Sequence, residues 1–204
     1  MKLNIGSGAC GETTFFGKGK GWVNVDFSYT PELPEWQQAE YLKFDLVTTP
    51  WPLGEESVDC IFASHIVEHI EYQNLRPMFR EIHRVLKRGA PIRIICPDPR
   101  VFWRNFQAKN KQHILDCYGP ENYERWNYKD YPNIGHSDMF FNDHYDHHLI
   151  ASMDMIAIVM INVGFVKVTE MQYTNSEFPE FFGNSETSID NRPVMSYYLE
   201  GVKA

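Results

Sequence analysis

Residues 2–11 read Lys-Leu-Asn-Ile-Gly-Ser-Gly-Ala-Cys-Gly, a short apolar run that passes directly into a glycine-rich turn. The run predicts a β-strand over about 2–5. Glycine at positions 6, 8 and 11 lets the backbone turn sharply and lie close to a ligand, because no Cβ intervenes. In a doubly wound α/β sheet, such a turn lies at the carboxyl ends of the strands, where cofactors bind. The stretch therefore predicts an α/β fold with a cofactor site built on its first strand.

Strands and helices alternate after this turn, which is typical of a parallel sheet covered on both faces. Further strands are predicted over about 22–26, 41–46, 58–63, 92–96, 165–172 and 194–202. Apolar residues three and four apart predict a helix over about 72–87, which Gly89 is expected to stop, and a second helix is predicted over about 149–162. Because the sequence predicts no helix between the last two strands, we expect them to pair antiparallel at the edge of the sheet.

The length of 204 residues fits one domain, and no repeat or flexible linker divides the chain. The regular pattern is lost over about 99–148, a stretch rich in aromatic residues, histidine, asparagine and proline. Long irregular segments inside a domain are usually functional. We therefore expect a single domain over 1–204, with an irregular insertion at about 99–148 that binds the substrate or forms a lid.

The net charge of the chain and the lengths of its apolar runs exclude several classes of protein. Lysine and arginine number 19 against 27 aspartates and glutamates, and the formal charge of −8 argues against binding to nucleic acid or to an anionic membrane. The longest nearly apolar run, Met155–Val163, is shorter than the roughly 20 residues of a membrane span, and no signal peptide follows Met1. The four cysteines are scattered without a Cys-x-x-Cys pair. We expect a cytoplasmic protein with reduced thiols.

Asp26 adds a second cofactor signal to the glycine turn. It lies twenty residues after Gly6, at the predicted end of the second strand, where a carboxylate can accept hydrogen bonds from both hydroxyls of a ribose. Together the two features favour a cofactor that contains a nucleoside. The turn also matches the dinucleotide pattern GxGxxG, but the ten residues after it leave hardly any room for the helix that should face a pyrophosphate. NAD is therefore disfavoured.

The sequence resembles the small class I S-adenosylmethionine-dependent methyltransferases, and is most similar to members associated with surface-glycan or small-metabolite modification. The resemblance is strong over about 2–98 and looser over 149–202. It implies a Rossmann-like three-layer α/β sandwich, with a seven-stranded, mostly parallel sheet whose last strand is antiparallel, and S-adenosylmethionine as the cofactor. The segments that carry it are Leu3-Asn4-Ile5-Gly6-Ser7-Gly8, the run Gly-Trp-Val-Asn-Val-Asp at 21–26, Asp45-Leu46, the stretch at 57–70 and the stretch at 80–87.

This resemblance implies a role for each matched residue at the glycine turn and after the second strand. Gly6, Ser7 and Gly8 would pass under the methionine part of the cofactor. Asp26 would hold its ribose, and Phe27 would lie near its adenine. The first half of the chain would thus supply most of the cofactor site.

The resemblance also assigns residues after the third and fourth strands. Asp45 would accept from the adenine amino group and Leu46 would donate its backbone N–H to the ring, while Ser64 and His65 would face the sulfonium and the acceptor. Asn4 departs from the family, since many relatives carry an acid there. The chain also starts at strand one, without the helices that cap the cofactor in larger relatives. We therefore expect the central insertion, or a second copy in a homodimer, to close the site.

The candidates for a catalytic base are His65, His69 and His144, and the sequence does not choose among them. His65-Ile66-Val67-Glu68-His69 fits the HxxEH zinc-hydrolase signature, with both histidines on one helical face. Its position at a strand-to-helix junction weighs against that interpretation, and no metal is expected. Either His69 and Glu68 make structural hydrogen bonds, or a histidine orients or deprotonates an acceptor hydroxyl. Residues 142–148 form a second cluster, either a solvated loop or a source of His144 or His147 for the acceptor pocket.

The resemblance and these motifs predict a methyltransferase that modifies an oxygen or nitrogen atom of a small molecule or sugar unit. The motif Asn/Asp-Pro-Pro-Tyr/Phe, typical of enzymes that methylate nucleic-acid bases, does not follow the fourth strand. Two alternatives stay open. One is a non-catalytic module that binds S-adenosylmethionine or a partner. The other is a metal hydrolase that uses His65, Glu68 and His69.

Overall fold

Seven strands form one sheet in the computed structural model, which describes residues 1–9, 16, 20–37, 39–125, 147–183 and 193–204. The strands are β1 (Lys2–Ile5), β2 (Trp22–Val25), β3 (Tyr41–Leu42), β4 (Cys60–Ser64), β5 (Pro91–Pro97), β6 (Phe165–Met171) and β7 (Ser196–Lys203). Their order across the sheet is β3-β2-β1-β4-β5-β7-β6. Strands β1 to β5 pair in parallel, and β7 runs antiparallel to both β5 and β6. This confirms the predicted fold class and the antiparallel pair at one edge.

Helices flank the sheet. They are α1 (Tyr72–Val85), α2 (Pro99–Gln107), α3 (Lys111–Arg125), α4 (Met153–Val163) and α5 (Pro179–Phe182), with 3₁₀ turns at Pro34–Trp36 and Val67–His69. Helix α1 buries the apolar side predicted from its spacing, including Leu75, Met78 and Ile82. Helix α3 is broken at Gly119, whose φ of 75° is not helical. In the part of the chain that the structure describes, no helix is long and apolar enough to cross a membrane.

Each face of the sheet has its own apolar cluster. On one face, Leu3, Ile5 and other alternate strand residues pack with helices α1 and α4. On the other face, Trp22 and Phe62 pack with Phe182 of α5. Because both faces of the parallel strands are covered, most of their side chains are apolar in both directions, with Asn4, Asn24 and Arg93 as buried polar exceptions, and the carboxyl ends of the strands are left to form a site.

The insertion at 99–148 is not irregular in its first half, which contains α2 and α3. Asp98 caps α2 by accepting a hydrogen bond from the backbone N–H of Arg100, and Pro99 occupies the first helical position, where its missing N–H does no harm. Phe102 of α2 packs with Ile114 of α3 in a small apolar cluster of their own. The helix-start signal was therefore present in the sequence, in the pair Asp98-Pro99.

Several predicted boundaries shift for local reasons. Helix α4 begins at Met153 rather than at 149, because the Ser152 side chain caps it. Helix α1 ends at Val85, where Leu86 turns extended and bridges to Val58, so that Gly89 does not end the helix. The third strand is only two residues long, and the last strand begins at 196 rather than 194.

Candidate active site

A cavity of about 380 Å³ opens at the carboxyl ends of β1 and β2, beside the segments that follow β3 and β4. Five of the nine predicted cofactor residues line it, namely Gly6, Asp26, Phe27, Asp45 and Leu46. The remaining lining residues are Val25, Phe44, Val47, Ile66, His69, Ile70, Glu71, Asn74 and His148. The wall is thus mostly apolar, with a few polar groups placed around it, as in small-molecule sites generally.

The glycine turn is fixed to the end of β2. The N–H groups of Gly6 and Ser7 both donate to the carbonyl of Val25, at 2.8 and 3.2 Å, and Gly6 has a φ of +64°. A Cβ at Gly6 would lie 2.3 Å from Cγ1 of Ile66, so only glycine fits there. Gly8 also has a positive φ of +57°, but a Cβ there would meet open space.

Asp26 connects the turn to the second strand. Its Oδ2 accepts from the N–H of Gly8 at 2.8 Å, and its Oδ1 accepts from both the N–H and the hydroxyl of Ser28, at 2.8 and 2.5 Å. An ionised carboxylate has about four acceptor positions, so these three bonds leave about one more. Asp26 therefore shapes the glycine turn and keeps acceptor capacity on the cavity wall.

Asp45 and Leu46 form a tight turn after β3. The Asp45 carboxylate accepts from the N–H of Val47 at 3.0 Å, and its backbone carbonyl accepts from Thr48 at 3.2 Å. Leu46 is buried, and its carbonyl accepts from the indole N–H of Trp51. The Leu46 N–H has no acceptor among the described residues. The turn thus offers a carboxylate and a backbone donor side by side.

Four predicted cofactor residues, Ser7, Gly8, Ser64 and His65, lie outside the cavity lining. His65 follows β4 with a φ of +52°. Its Nε2 lies 2.9 Å from the hydroxyl of Ser196 and its Nδ1 lies 3.1 Å from Oε1 of Glu68. The ring is therefore engaged with the end of β7 and with Glu68.

His69, and not His65, is the predicted catalytic histidine that lines the cavity, and His144 lies outside the described residues. The two histidines of the HxxEH motif do not share a helical face, because His65 has a left-handed backbone and Val67–His69 is a 3₁₀ turn. The His69 ring instead contacts His147 edge to face, with ring centroids 4.9 Å apart.

Glu68 joins the segment after β4 to the segment before α4. Its backbone carbonyl accepts from the N–H groups of His148 and Leu149, at 2.9 and 3.1 Å. Its side chain is 1% exposed. Burial opposes its ionisation, but the adjacent His65 outweighs this, and the pKa of Glu68 lies below its usual value. Sequence reasoning singled out Glu68 but missed this docking, which brings His148 to the cavity.

Comparisons with known proteins agree with the fold. Residues 3–94 match the family described as "Methyltransferase domain". No curated protein sequence matches the chain. A SAM-dependent methyltransferase from Archaeoglobus fulgidus has a similar structure, with a TM-score of 0.57 and 18% identity over 99% of this chain and 85% of that one.

Two further solved structures share the fold. One is a SAM-dependent methyltransferase and possible histamine N-methyltransferase from Thermotoga maritima, with a TM-score of 0.55 and 15% identity over 100% of this chain and 81% of that one. The other is geranyl diphosphate C-methyltransferase from Streptomyces coelicolor A3(2), in complex with Mg²⁺, geranyl diphosphate and S-adenosyl-L-homocysteine. Its TM-score is 0.51, with 15% identity over 100% of this chain and 71% of that one. The family match over residues 3–94 and the three solved structures show that the chain has the fold of S-adenosylmethionine-dependent methyltransferases.

Proposed function

We propose that this chain, as a single domain over 1–204, transfers a methyl group from S-adenosylmethionine to an oxygen or nitrogen atom of a small molecule or sugar unit. The observation that carries the proposal is the 380 Å³ cavity, in which the glycine turn, Asp26 and the Asp45-Leu46 turn meet. The volume of this cavity suits a small-molecule cofactor, since pockets that bind small molecules measure about 300–1,000 Å³.

The residues present fit the cofactor. Asp26 would accept from the ribose hydroxyls through its remaining acceptor position and through the one that Ser28 Oγ can vacate by rotation. The Leu46 N–H and the Asp45 carboxylate would bind the ring nitrogen and amino group of the adenine. Phe27, which is 70% exposed, would cover the base once it is bound. The methionine end of the cofactor would be surrounded by the predicted residues that lie outside the cavity lining, namely Ser7, Gly8, Ser64 and His65.

The acceptor would bind on the wall formed by His69 and His148. S-adenosylmethionine would supply a sulfonium methyl carbon, which an acceptor lone pair would attack in line with the departing sulfur. The protein's task is therefore mainly to hold the acceptor on the axis of that bond, since positioning alone removes much of the barrier. His69 would orient the acceptor atom, because of the two candidate histidines that the structure describes it is the one on the cavity wall. Residues 99–148 would contribute to the acceptor pocket or its lid.

A non-catalytic module that binds the same cofactor is the second candidate. The observation behind it is Asn4, whose side-chain amide donates to Oδ1 of Asn24 at 2.8 Å inside the sheet. An acid at this position helps to fix the cofactor's amino group in many similar proteins. Such a module would bind the cofactor without forming methylated product.

Calorimetric titration of S-adenosylhomocysteine into the wild type, Asp26→Ala and Asp154→Ala tests the cofactor. Asp154→Ala is a matched control, because it removes the same charge from the exposed first turn of α4. We expect Asp26→Ala to weaken binding by about tenfold or more, about 1.4 kcal/mol, and Asp154→Ala to leave it unchanged. Equal affinities for all three proteins would contradict the assigned site.

Formation of S-adenosylhomocysteine from S-adenosylmethionine, measured with sets of hydroxyl and amine acceptors, then separates the enzyme from the non-catalytic module. Product with any acceptor, lost in Asp26→Ala, supports the enzyme. Binding without product over both sets favours the module. The homodimer and the cytoplasmic location stay predictions, the first of which light scattering with and without S-adenosylhomocysteine would test.

A further inference from the structure

Glu68, His69 and His147 form a cluster of metal-ligand side chains beside the cavity. One ligand atom from each lies within 4.8 Å of the other two. We propose that these three residues bind a divalent first-row transition-metal ion such as Zn²⁺. Two imidazoles and one carboxylate are a donor set that suits such ions. The ion's role in the reaction rests on the proposed function, but its binding does not.

The buried carboxylate of Glu68 points to a missing ligand. The residue is 1% exposed, and neither carboxylate oxygen has a hydrogen-bond partner of good geometry among the residues that the structure describes. The Nδ1 of His65 lies 3.1 Å from Oε1, within ion-pair distance on one side of the carboxylate. Burying a carboxylate is costly unless it is paired, hydrogen-bonded or bound to a metal. A cation between Glu68 and the two imidazoles would supply that partner.

The backbone holds the ligands close together before any ion binds. The N–H groups of His148 and Leu149 donate to the Glu68 carbonyl, which fixes His147 beside the 3₁₀ turn that carries Glu68 and His69. Donors at about 2.1 Å from one ion lie roughly 3–4 Å apart, so small side-chain rotations would close the cluster. A separate cavity of about 10 Å³ beside Glu68 and His147 is of the order of one water-sized sphere.

This ligand set differs from the one that the HxxEH pattern suggests. His65 is directed to Ser196, with Nε2 2.9 Å from the hydroxyl, and His147 from the distant segment before α4 takes its place. A site with three protein ligands keeps positions open for water or substrate. Open positions on the side of His69 would face the 380 Å³ cavity.

The ion would bind the acceptor oxygen and make its hydroxyl more acidic. As the new oxygen–methyl bond formed, the sulfur–methyl bond would break and its electron pair would stay on sulfur. The hydroxyl proton passes to water. Glu68, His69 and His147 would thus place the acceptor oxygen on the cavity wall, and the preferred acceptors would carry hydroxyl groups.

The test is titration of chelator-treated full-length protein with Zn²⁺ by calorimetry, with Co²⁺ absorption as a second readout of coordination. We expect one ion per chain in the wild type, in His65→Asn and in His148→Asn, which changes the exposed neighbour of His147. Glu68→Gln and His147→Asn should weaken Zn²⁺ binding by at least roughly 100-fold, since losing an outer-shell partner alone costs about 10–100-fold. Circular dichroism verifies that each variant is folded.

The Zn²⁺ titration of the wild type tests the inference even if a variant does not fold. No stoichiometric Zn²⁺ binding by the wild type overturns the inference. Binding that His65→Asn removes but His147→Asn keeps also overturns it, in favour of the HxxEH ligand set. Titration of S-adenosylhomocysteine into the chelator-treated protein separates the two proposals. Cofactor binding without Zn²⁺ binding overturns the inference alone, whereas Zn²⁺ binding without cofactor binding supports the inference and overturns the proposed function.

Discussion

Gly6 is the residue where the glycine turn packs most closely against a neighbouring side chain, that of Ile66. In Gly6→Ala the new Cβ would lie 2.3 Å from Cγ1 of Ile66, at a φ of +64°. A left-handed non-glycine residue costs about 1–2 kcal/mol, and overpacking adds about 1–3 kcal/mol. We expect Gly6→Ala to lower the free energy of unfolding by at least about 2 kcal/mol and to weaken S-adenosylhomocysteine binding. Urea denaturation and calorimetry measure the two effects.

Gly8 provides the matched control for Gly6. Its φ of +57° is similar, but a Cβ there would meet nothing within 4 Å. Gly8→Ala should therefore lose only the backbone part of the free energy, about 1–2 kcal/mol. Adding Ile66→Ala to Gly6→Ala should relieve the steric part. Equal losses for the two single variants would show that Ile66 does not restrict the turn.

His83, in the last turn of α1, gives the protein a predicted pH dependence. Its ring packs edge-on against Phe165, 5.2 Å between centroids, and a Cβ at Gly164 would lie 3.0 Å from its Nε2. Burial, together with the charge of Lys203, lowers the pKa of His83 below its usual 6.5. The unfolded chain therefore binds the proton more readily. The contribution of the neutral, packed His83 ring to the free energy of unfolding is therefore fully present above pH 6.5. It is lost as the pH falls towards the lowered pKa.

Comparing the wild type with His83→Gln isolates this effect. The difference between their free energies of unfolding should be smaller at about pH 5 than at about pH 7.5, and unchanged between about pH 7.5 and 8.5. Urea denaturation at the three pH values measures it. A difference that is constant down to about pH 5 would exclude His83 as a source of acid sensitivity.

At the level of elements, β5 and β7 are joined by a buried ion pair. Arg93 Nη1 and Glu200 Oε1 lie 2.7 Å apart, with side chains 1% and 2% exposed. Glu200 also accepts from the Ser176 hydroxyl and the Glu177 N–H. Removing one partner of such a pair leaves a buried charge, so Arg93→Met or Glu200→Gln alone should cost about 3–5 kcal/mol. Urea denaturation measures each loss.

The double variant tests whether the charges are coupled. Arg93→Met with Glu200→Gln should cost clearly less than the sum of the single variants, because neither charge is then left unpaired. Losses that add up within about 0.5 kcal/mol would mean that the two side chains stabilise β5 and β7 independently. A loss for the single variants near zero would show that water reaches the pair.

Strong local patterns explain which elements could be predicted. The apolar spacing of Leu75, Met78 and Ile82 defined α1, and apolar runs bounded by turns defined the strands. Helix α2 was not predicted although the pair Asp98-Pro99 marks its start, and α3 was not predicted because Gly119 interrupts its helical pattern. The two helices pack on each other through Phe102 and Ile114, and no single-sequence pattern reports such a contact.

On the scale of the whole molecule, the topology of the parallel sheet predicts about half of the candidate site. Gly6, Asp26 and Asp45 each follow a strand, and parallel strands bring their carboxyl ends to one edge, so the sequence predicts that they meet. The docking of His147 and His148 onto Glu68 could not be predicted, because it joins segments far apart in the chain through backbone hydrogen bonds. His65, which was predicted to face the cofactor and the acceptor, instead lies beside Glu68 and Ser196.

Because the cavity combines the N-terminal half of the sheet with the segment before α4, cofactor binding should stabilise both. S-adenosylhomocysteine at 100 times its Kd should raise the free energy of unfolding by about 2.7 kcal/mol. This corresponds to about 5–11 °C in Tm for a chain of this size. Hydrogen exchange should slow at residues 6–8 and 44–47, and also at the amides of His148 and Leu149, which donate to Glu68. The outer strand Phe165–Met171 serves as the internal control. Asp26→Ala at the same ligand concentration should lose the protection. Protection confined to residues 6–47 would mean that the segment before α4 closes on the acceptor and takes no part in holding the cofactor.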